Sequence, residues 1–330
     1  MSLKNHVLKV LEENRDHYIS GQTMANELNV TRSAVWKCIK QLEGDGYCIE
    51  GVQNRGYKLA EDSDILSPVS IKKYFAPEYK DSDIFVYKTV GSTNDVLKKM
   101  ALDKAKEGTL VVAEEQTHGK GRKGKSFFSP YGKGIYMSIL LYPSFSVQTA
   151  GLLTSAAAVA VAESIDELCE VQTGIKWVND VFIKDKKACG ILTEASMSIE
   201  NHGLEYVIVG IGINIELPET GFPSEIESKA AAVFQDKEKI PDIRSKLCAN
   251  IVNRFTRYYK NLEQRTFLDA YKKKLFFLNQ KITVVAGKET TVATALDIDE
   301  NCHLLVRMED GTEKYLDSGE ISIIPGNFSN

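Results

Sequence analysis

The chain has 330 residues, enough for about two or three domains; 43% hydrophobic and 26% charged residues are the proportions of ordinary globular protein. Its net charge of −4 argues against attraction of the whole molecule to nucleic acid and leaves only a local basic patch open. No apolar run reaches membrane-spanning length, and the segment Met1–His6 leads into a polar amphipathic helix rather than a signal peptide.

Residues 1–63 read as helices followed by a hairpin. Val7, Leu8, Val10 and Leu11 recur at helical spacing. After Ile19-Ser20-Gly21, a helix from Gln22 to Leu28 carries Met24, Ala25 and Leu28 on its apolar face, and Asn29-Val30 turns the chain. Thr31 is the expected N-cap of a third helix reaching Leu42, with Val35, Cys38, Ile39 and Leu42 at core spacing. Ser33, Trp36, Lys37 and Lys40 make a stripe on its other side, and Gly44 and Gly46 end it. Tyr47–Glu50 and Tyr57–Leu59 read as two strands around Gln53–Gly56. This order predicts a winged helix-turn-helix DNA-binding domain whose third helix enters a major groove. Arg32, Ser33, Trp36, Lys37 and Lys40 are the candidate DNA contacts, with Arg55 at the wing tip. A charged stripe is also the ordinary solvated face of a helix, and Trp36 can equally pack against a following domain; both readings stay open. One such module makes few phosphate contacts, so operator control implies a dimer reading two half-sites.

Glu61-Asp62-Ser63-Asp64 is an acidic linker. Residues 65–270 read as a mixed α+β domain with strands around 84–88, 109–113, 134–142, 175–177, 181–183, 189–195 and 205–215. Turns such as Lys184–Lys187 are too short for parallel crossovers, so the sheet is expected to be largely antiparallel. Thr154–Leu168 is an alanine-rich helix suited to close packing under the sheet, and Ile243–Leu262 is a second long helix. Residues 275–330 carry short strands at Lys281–Val285, Thr290–Ile298, His303–Arg307 and Glu313–Leu316, with Asp310-Gly311 as a hairpin signal. These predict a small SH3-like β-barrel. Cys38, Cys48, Cys169, Cys189, Cys248 and Cys302 are scattered, which rules out a zinc ribbon or Cys-x-x-Cys site and suits a reducing, cytoplasmic compartment. His6, His17, His118, His202 and His303 are equally dispersed, against a structural metal site.

Chemistry concentrates in the middle third. Gln116-Thr117-His118-Gly119-Lys120-Gly121-Arg122-Lys123-Gly124-Lys125 follows an apolar strand. Its glycines allow φ > 0 and close backbone approach, and its cations call for an anion. It is neither a P-loop nor a dinucleotide fingerprint, because the order is wrong and Ser129-Pro130-Tyr131-Gly132 breaks any following helix. Alone, such a loop is as readily a solvated surface turn. Upstream, Ser92-Thr93-Asn94 begins a helix, and three small polar residues exceed what one cap needs. Downstream come Lys176-Trp177-Val178-Asn179-Asp180, then Lys187-Ala188-Cys189-Gly190-Ile191-Leu192, then Gly210-Ile211-Gly212-Ile213-Asn214.

Taken in order, these five motifs over Ile84–Asn214 resemble the biotin–protein ligases, and with the helix-turn-helix module they resemble those that double as biotin operon repressors. Three positions depart from that family: Lys120 and Val178 stand where it usually has Arg and Pro, and Phe127 where it commonly has Trp. Lysine at 120 lacks the planar bidentate donors of arginine.

The resemblance implies an enzyme that activates biotin with ATP and Mg²⁺ as an acyl adenylate, then transfers it to a lysine of a biotin carboxyl carrier protein. It places Arg122, Lys187 and Asp180 at the chemistry. Ser92, Thr93, Asn94, Gln116, Lys120, Gly121, Arg122, Lys187, Gly190, Leu192 and Gly210 fall to biotin, and Arg122, Phe127, Asn179, Lys187 and Asn214 to the nucleotide. It further implies a homodimer, formed with the adenylate bound, that occupies operator DNA. For single residues the plainer readings stand beside these: an exposed hairpin tip for Lys187, a core aromatic for Phe127, a strand-end turn for Asn214, and for Asp180 a base, a metal ligand or a turn cap. A lipoate–protein ligase and a ligand-sensing DNA-binding regulator without catalysis remain the alternative functions.

Overall fold

A computed structural model describes residues 2–60, 63–197, 203–234, 240–286, 289–317 and 319–323. Glu61 and Asp62 of the expected linker, His202 and the end of the carboxyl-terminal segment lie outside the described residues. The chain forms two compact units, Met1–Lys80 with Lys237–Asn250, and Asp81–Asp236 with Ile251–Asn330.

The first unit contains helices α1 (Leu3–Glu13), α2 (Gly21–Glu27) and α3 (Arg32–Gly44), strands β1 (Ile49–Val52) and β2 (Gly56–Leu59), and helix α4 (Pro68–Lys73). Its helix starts are set locally. Ser2, Ser20 and Thr31 each accept a first-turn backbone N–H, and Ser67 and Ser70 form a capping box on α4. Val7, Leu11, Met24, Val35, Ile39 and Leu59 are wholly buried in one core, each worth about 1.5–3 kcal/mol by its removal from water. The antiparallel wing β1–β2 begins at Ile49, later than the Tyr47 expected from the sequence, because Tyr47 is drawn into the core. A pairing of Ile19 with Tyr57 was not anticipated. It explains Gly56: at φ +117° a Cβ there would stand 2.1 Å from the Ile19 carbonyl oxygen. Buried charges close the unit: Arg15 meets Glu12 at 2.6 Å, and Arg244 meets Asp64 at 2.9 Å.

The second unit is built on a seven-stranded sheet of order β3-β4-β5-β9-β8-β7-β6. In chain order its elements are β3 (Ile84–Tyr87), α5 (Thr93–Leu102), β4 (Leu110–Ala113), β5 (Gly134–Leu141), α6 (Val147–Ala150), α7 (Leu152–Cys169), β6 (Thr173–Lys176), β7 (Asp180–Ile183), β8 (Lys186–Met197), β9 (Leu204–Asn214), α8 (Ser224–Glu227), α9 (Ile243–Lys260, its opening turns in the first unit) and α10 (Leu268–Lys274). Only β3–β4 is parallel among these pairings, with α5 as its crossover; the others are antiparallel. Helix α7 is apolar almost all round, with Ala156, Ala157, Ala158, Ala160 and Ala162 wholly buried, and packs against β6, β7 and β8. On the α5 side, Leu97 and Ala101 bury against Val111, Leu140 and Ile208.

Five antiparallel strands finish this unit: β10 (Lys281–Ala286), β11 (Glu289–Ile298), β12 (Leu304–Met308), β13 (Glu313–Leu316) and β14 (Glu320–Ile323), in the order β13-β12-β11-β10-β14. Strand β14 was not anticipated. Among the described residues β13 pairs with β12 and β14 with β10, giving the antiparallel carboxyl-terminal domain. No helix among the described residues is long and apolar enough to cross a membrane.

Candidate active site

On the α5 face of the sheet three glycines, Gly190, Gly210 and Gly212, leave the strands bare. Register makes them neighbours: Gly190 pairs with Gly212, and Gly210 pairs with both Leu192 and Ser138. The missing side chains form the floor of a cleft. Ser92, Thr93 and Asn94 at the start of α5 make one wall, and Gln116, Lys120, Gly121, Arg122 and Phe127 of the β4–β5 loop another. Asn179, Lys187, Gly190, Ile191, Leu192, Gly210, Ile211 and Gly212 complete it.

All eleven residues assigned to biotin line this cleft, as do Arg122, Phe127, Asn179 and Lys187 of the nucleotide set. Asn214 does not line it. It ends β9, pairs with Gly134, and donates from Nδ2 to the Ala231 carbonyl at 3.0 Å. Asp180 opens β7 beside the cleft. It lies 2.7 Å from the Lys187 ammonium and accepts from Asn179 Nδ2 at 2.8 Å. Lys187 is not at a hairpin tip. Strand β8 already starts at Lys186, and the Lys187 backbone is gripped by Lys229 and Ala231.

The glycines of the loop differ in what they do. Of its glycines, Gly124 alone has positive φ, +73°. Gly119 is needed for close approach, since a Cβ would meet the Phe127 carbonyl oxygen at 2.3 Å. Backbone bonds close the loop on itself: Gly121 N–H donates to Lys125 O at 2.7 Å and Phe127 N–H to Gly119 O at 2.9 Å. The floor glycines make room for the protein's own side chains as much as for a ligand. A Cβ on Gly210 would lie 2.3 Å from Asn94 Oδ1, and one on Gly212 would lie 2.7 Å from the Phe127 ring.

Ser92 holds the N-cap position of α5 but makes no side-chain cap. Gln116 does that work: its Oε1 accepts from the Thr93 backbone N–H at 2.9 Å, and its Nε2 donates to Ser129 Oγ at 3.1 Å. The cations are all held. Lys120 pairs with Asp95 at 2.5 Å, Arg122 donates to Asn179 Oδ1 at 2.9 Å, and Lys187 pairs with Asp180. Such part-exposed pairs are worth about 0–1 kcal/mol, so an incoming anion displaces them at little cost. No lining residue is acidic. Behind Lys187, burial pushes the Cys189 thiol far up, leaving it neutral and unsuited to nucleophilic work.

The sequence reading missed Ile191, Ile211 and Gly212 as lining residues, although all three stand in quoted motifs. It also missed Ser138 and Glu194 behind the wall. Ser138 Oγ is 2.6 Å from Asn94 Oδ1 and 2.7 Å from Thr93 Oγ1, and Glu194 accepts from Asn94 Nδ2 at 2.7 Å. Both sit mid-strand, and only cross-strand register reveals them.

In the first unit Arg32, Ser33, Trp36, Lys37, Lys40 and Arg55 are all exposed. Trp36 shows 50% of its surface, Lys40 pairs with Glu43 at 2.6 Å, and the Arg55 guanidinium lies 6.0 Å from the Tyr18 ring centre.

Comparison with known proteins follows the same division. The Biotin/lipoate A/B protein ligase family matches residues 86–214, an HTH domain matches 4–58, and the Biotin protein ligase C terminal domain matches 277–323. The bifunctional ligase/repressor BirA of Bacillus subtilis (strain 168) is 33% identical over 322 residues, covering 95% of this chain and 96% of that protein. The protein of the same name from Escherichia coli (strain K12) is 25% identical, covering 92% of each. Among solved structures, the biotin protein ligase from Aquifex aeolicus in complex with biotin and ATP superposes with a TM-score of 0.61 at 27% identity, covering 73% of this chain and 98% of that one.

Proposed function

The chain belongs to the family of bifunctional biotin–protein ligase/repressors, and from that premise we propose how its residues share the work. It is a biotin ligase using biotin and ATP, and it carries a helix-turn-helix repressor domain. The observation that carries the residue assignment is the convergence of Thr93, Gln116, Arg122, Phe127 and Lys187 on one cleft.

A carboxylate is a poor electrophile until its oxygen has been attached to a better leaving group. In the first step a biotin carboxylate oxygen attacks the α-phosphorus of ATP, and pyrophosphate leaves. Arg122 and Lys187 supply the positive charge that this crowding of anions requires, Lys187 exchanging Asp180 for ligand oxygens. Ser92, Thr93, Asn94 and Gln116 meet the ureido ring, while Gly190, Leu192 and Gly210 give its apolar parts a flat wall. Phe127 and Asn179 flank the nucleotide. Asn214 braces segment 231–234 and acts on the nucleotide from the strand end. In the second step the uncharged lysine amine of a biotin carboxyl carrier protein attacks the acyl carbon and AMP leaves. Asp180 then accepts or orients the proton that the amine gives up.

Mg²⁺ arrives with ATP. Among the described residues no group of three His, Cys, Asp or Glu converges on a metal-sized site, so the nucleotide's own phosphates would hold the ion, with Asp180 the nearby carboxylate. Bound there, it neutralises phosphate oxygens.

We assign operator binding to residues 1–63, ligation to 65–270 and a supporting role to 275–330. Arg32, Ser33, Trp36, Lys37, Lys40 and Arg55 meet the DNA. The adenylate-bound protein pairs as a homodimer through a sheet edge; β3 is one, with Phe85 41% exposed. Free thiols at all six cysteines suit the cytoplasm. The test is to incubate the protein with ATP, Mg²⁺ and radiolabelled biotin and isolate it rapidly. A tightly held, non-covalent biotinyl adenylate is expected. Pyrophosphate exchange driven by lipoate or octanoate instead of biotin would overturn the assignment.

A further inference from the structure

Four buried or half-buried side chains run from Glu194 on β8 to the cleft. Glu194 Oε1 accepts from Lys98 Nζ at 2.6 Å, and its Oε2 from Asn94 Nδ2 at 2.7 Å. A carboxylate only accepts, so Asn94 must turn its amide nitrogen toward Glu194 and its Oδ1 away. That Oδ1 lies 2.6 Å from Ser138 Oγ. An amide oxygen also only accepts, so the single hydroxyl proton of Ser138 is committed to it. Ser138 Oγ is then an acceptor for its other neighbour, Thr93 Oγ1, at 2.7 Å. Gln116 Oε1 is the competing acceptor for the Thr93 proton. It is farther, at 3.2 Å, and already receives the Thr93 backbone N–H at 2.9 Å. Thr93, Asn94 and Ser138 are at most 3% exposed, so no solvent rewires the chain. Gly210 is what admits Asn94 to it.

We propose that Glu194, which does not line the cleft, sets the direction of the hydrogen-bond chain Glu194–Asn94–Ser138–Thr93, so that Thr93 Oγ1 faces the cleft as an acceptor and selects a ligand N–H. The inference rests on the biotin reading above and names the chemical feature that reading leaves open. A urea offers N–H groups, whereas a cyclic carbamate of the same shape puts an ether oxygen in place of one of them. Glu194 is a positioning residue acting through three others. Removing its charge reverses the chain. In Glu194→Gln, Lys98 takes the amide oxygen, and the amide nitrogen is left facing Asn94. Asn94 then flips, Ser138 donates to Thr93, and Thr93 loses one of the lone pairs it offered to a ligand, its proton passing to Gln116 Oε1 or the cleft.

The experiment is biotin-dependent pyrophosphate exchange by the full-length protein, with biotin and its cyclic carbamate analogues as alternative substrates. The unaltered protein should prefer biotin by roughly 100-fold or more, because the carbamate leaves a buried acceptor facing a lone pair. Glu194→Gln should raise the biotin KM about tenfold, change kcat by less than about threefold, and shrink the preference to about tenfold or less. Ser138→Ala cuts the chain at its centre. In that background Glu194→Gln should alter the biotin KM by no more than about twofold, since residues in one network are not additive. A Glu194→Gln protein with unchanged KM and unchanged preference overturns the inference, as do effects that multiply in the double variant. Failure of the unaltered protein to exchange at all with biotin would instead overturn the ligase reading, and the inference with it.

Discussion

On α3 the polar residues Arg32, Ser33, Lys37 and Lys40 stand in solvent, whereas Ser92, Thr93, Asn94 and Asn179 around the cleft are all buried. The first group is attached to a core that does not need it: Val35, Cys38, Ile39 and Leu42 hold the helix from behind. The second group is itself part of the packing, with Thr93, Asn94 and Asn179 hydrogen-bonded to neighbouring groups. Exposed polar side chains adjust to a partner one at a time. Buried ones are preorganised, so a change at one is felt by its neighbours.

The sharpest way to break that contrast is at the cleft's charge. Lys187→Ala should cut adenylate formation by roughly 10²–10³-fold, the scale of losing one donor to developing negative charge, measured by pyrophosphate exchange at saturating biotin. In the companion variant Arg122→Gly the adenylate should escape, seen as biotin label on bystander proteins. Retention as tight as in the unaltered protein would count against the role given to Arg122.

Next is Gly212→Val, which adds no charge and removes none. Its Cβ would fall 2.7 Å from the Phe127 ring. Overpacking of this kind costs about 1–3 kcal/mol, and with the ring displaced the KM for ATP should rise while the biotin KM moves less. Equal movement of both would place Phe127 elsewhere than beside the nucleotide.

A smaller, strictly local effect is expected on the exposed side. Lys37→Ala should weaken operator binding several-fold and make its dependence on log salt shallower by about one, as read by gel shift at several ionic strengths. Pyrophosphate exchange should be untouched. An unchanged salt slope would return Lys37 to the class of ordinary solvated charges.

The smallest effect tests the burial of charge in the first unit. Burial pushes the Asp64 carboxyl up to about 6, against the opposing pull of Arg244. The native state therefore holds that proton more tightly than the unfolded chain, for which the ordinary value is 3.8. The stabilisation is fully present below that ordinary value and is lost as pH rises through about 6. Urea midpoints taken between pH 4.5 and 7 should carry this downward slope with rising pH, and Asp64→Asn should remove it. A slope that persists in the variant belongs to other groups.

Much of the molecule was legible from residues alone, and for physical reasons that differ by region. Helix periodicity, N-capping Ser and Thr, and turn glycines act within a few residues, so α1–α3 and the wing could be placed closely. The same holds for α7, whose run of alanines admits only a buried helix. Short, spaced motifs identified the cleft's walls, because Gln116, Arg122 and Lys187 lie in segments whose order is distinctive. What could not be read was anything created by pairing between distant strands. Gly56 owes its identity to the backbone of Ile19, Gly210 to Asn94, and Gly212 to Phe127. Strand β14 exists because β10 offers it an edge. Lys187 belongs to a strand because it pairs with Phe182 of β7, and Lys229 and Ala231 hold its backbone besides. Amino-acid order thus determined the local conformations and the inventory of charged and polar groups. Tertiary structure decided which of them meet, since a register of antiparallel strands brings Ser138, Leu192 and Gly210 side by side from segments that have no local knowledge of one another.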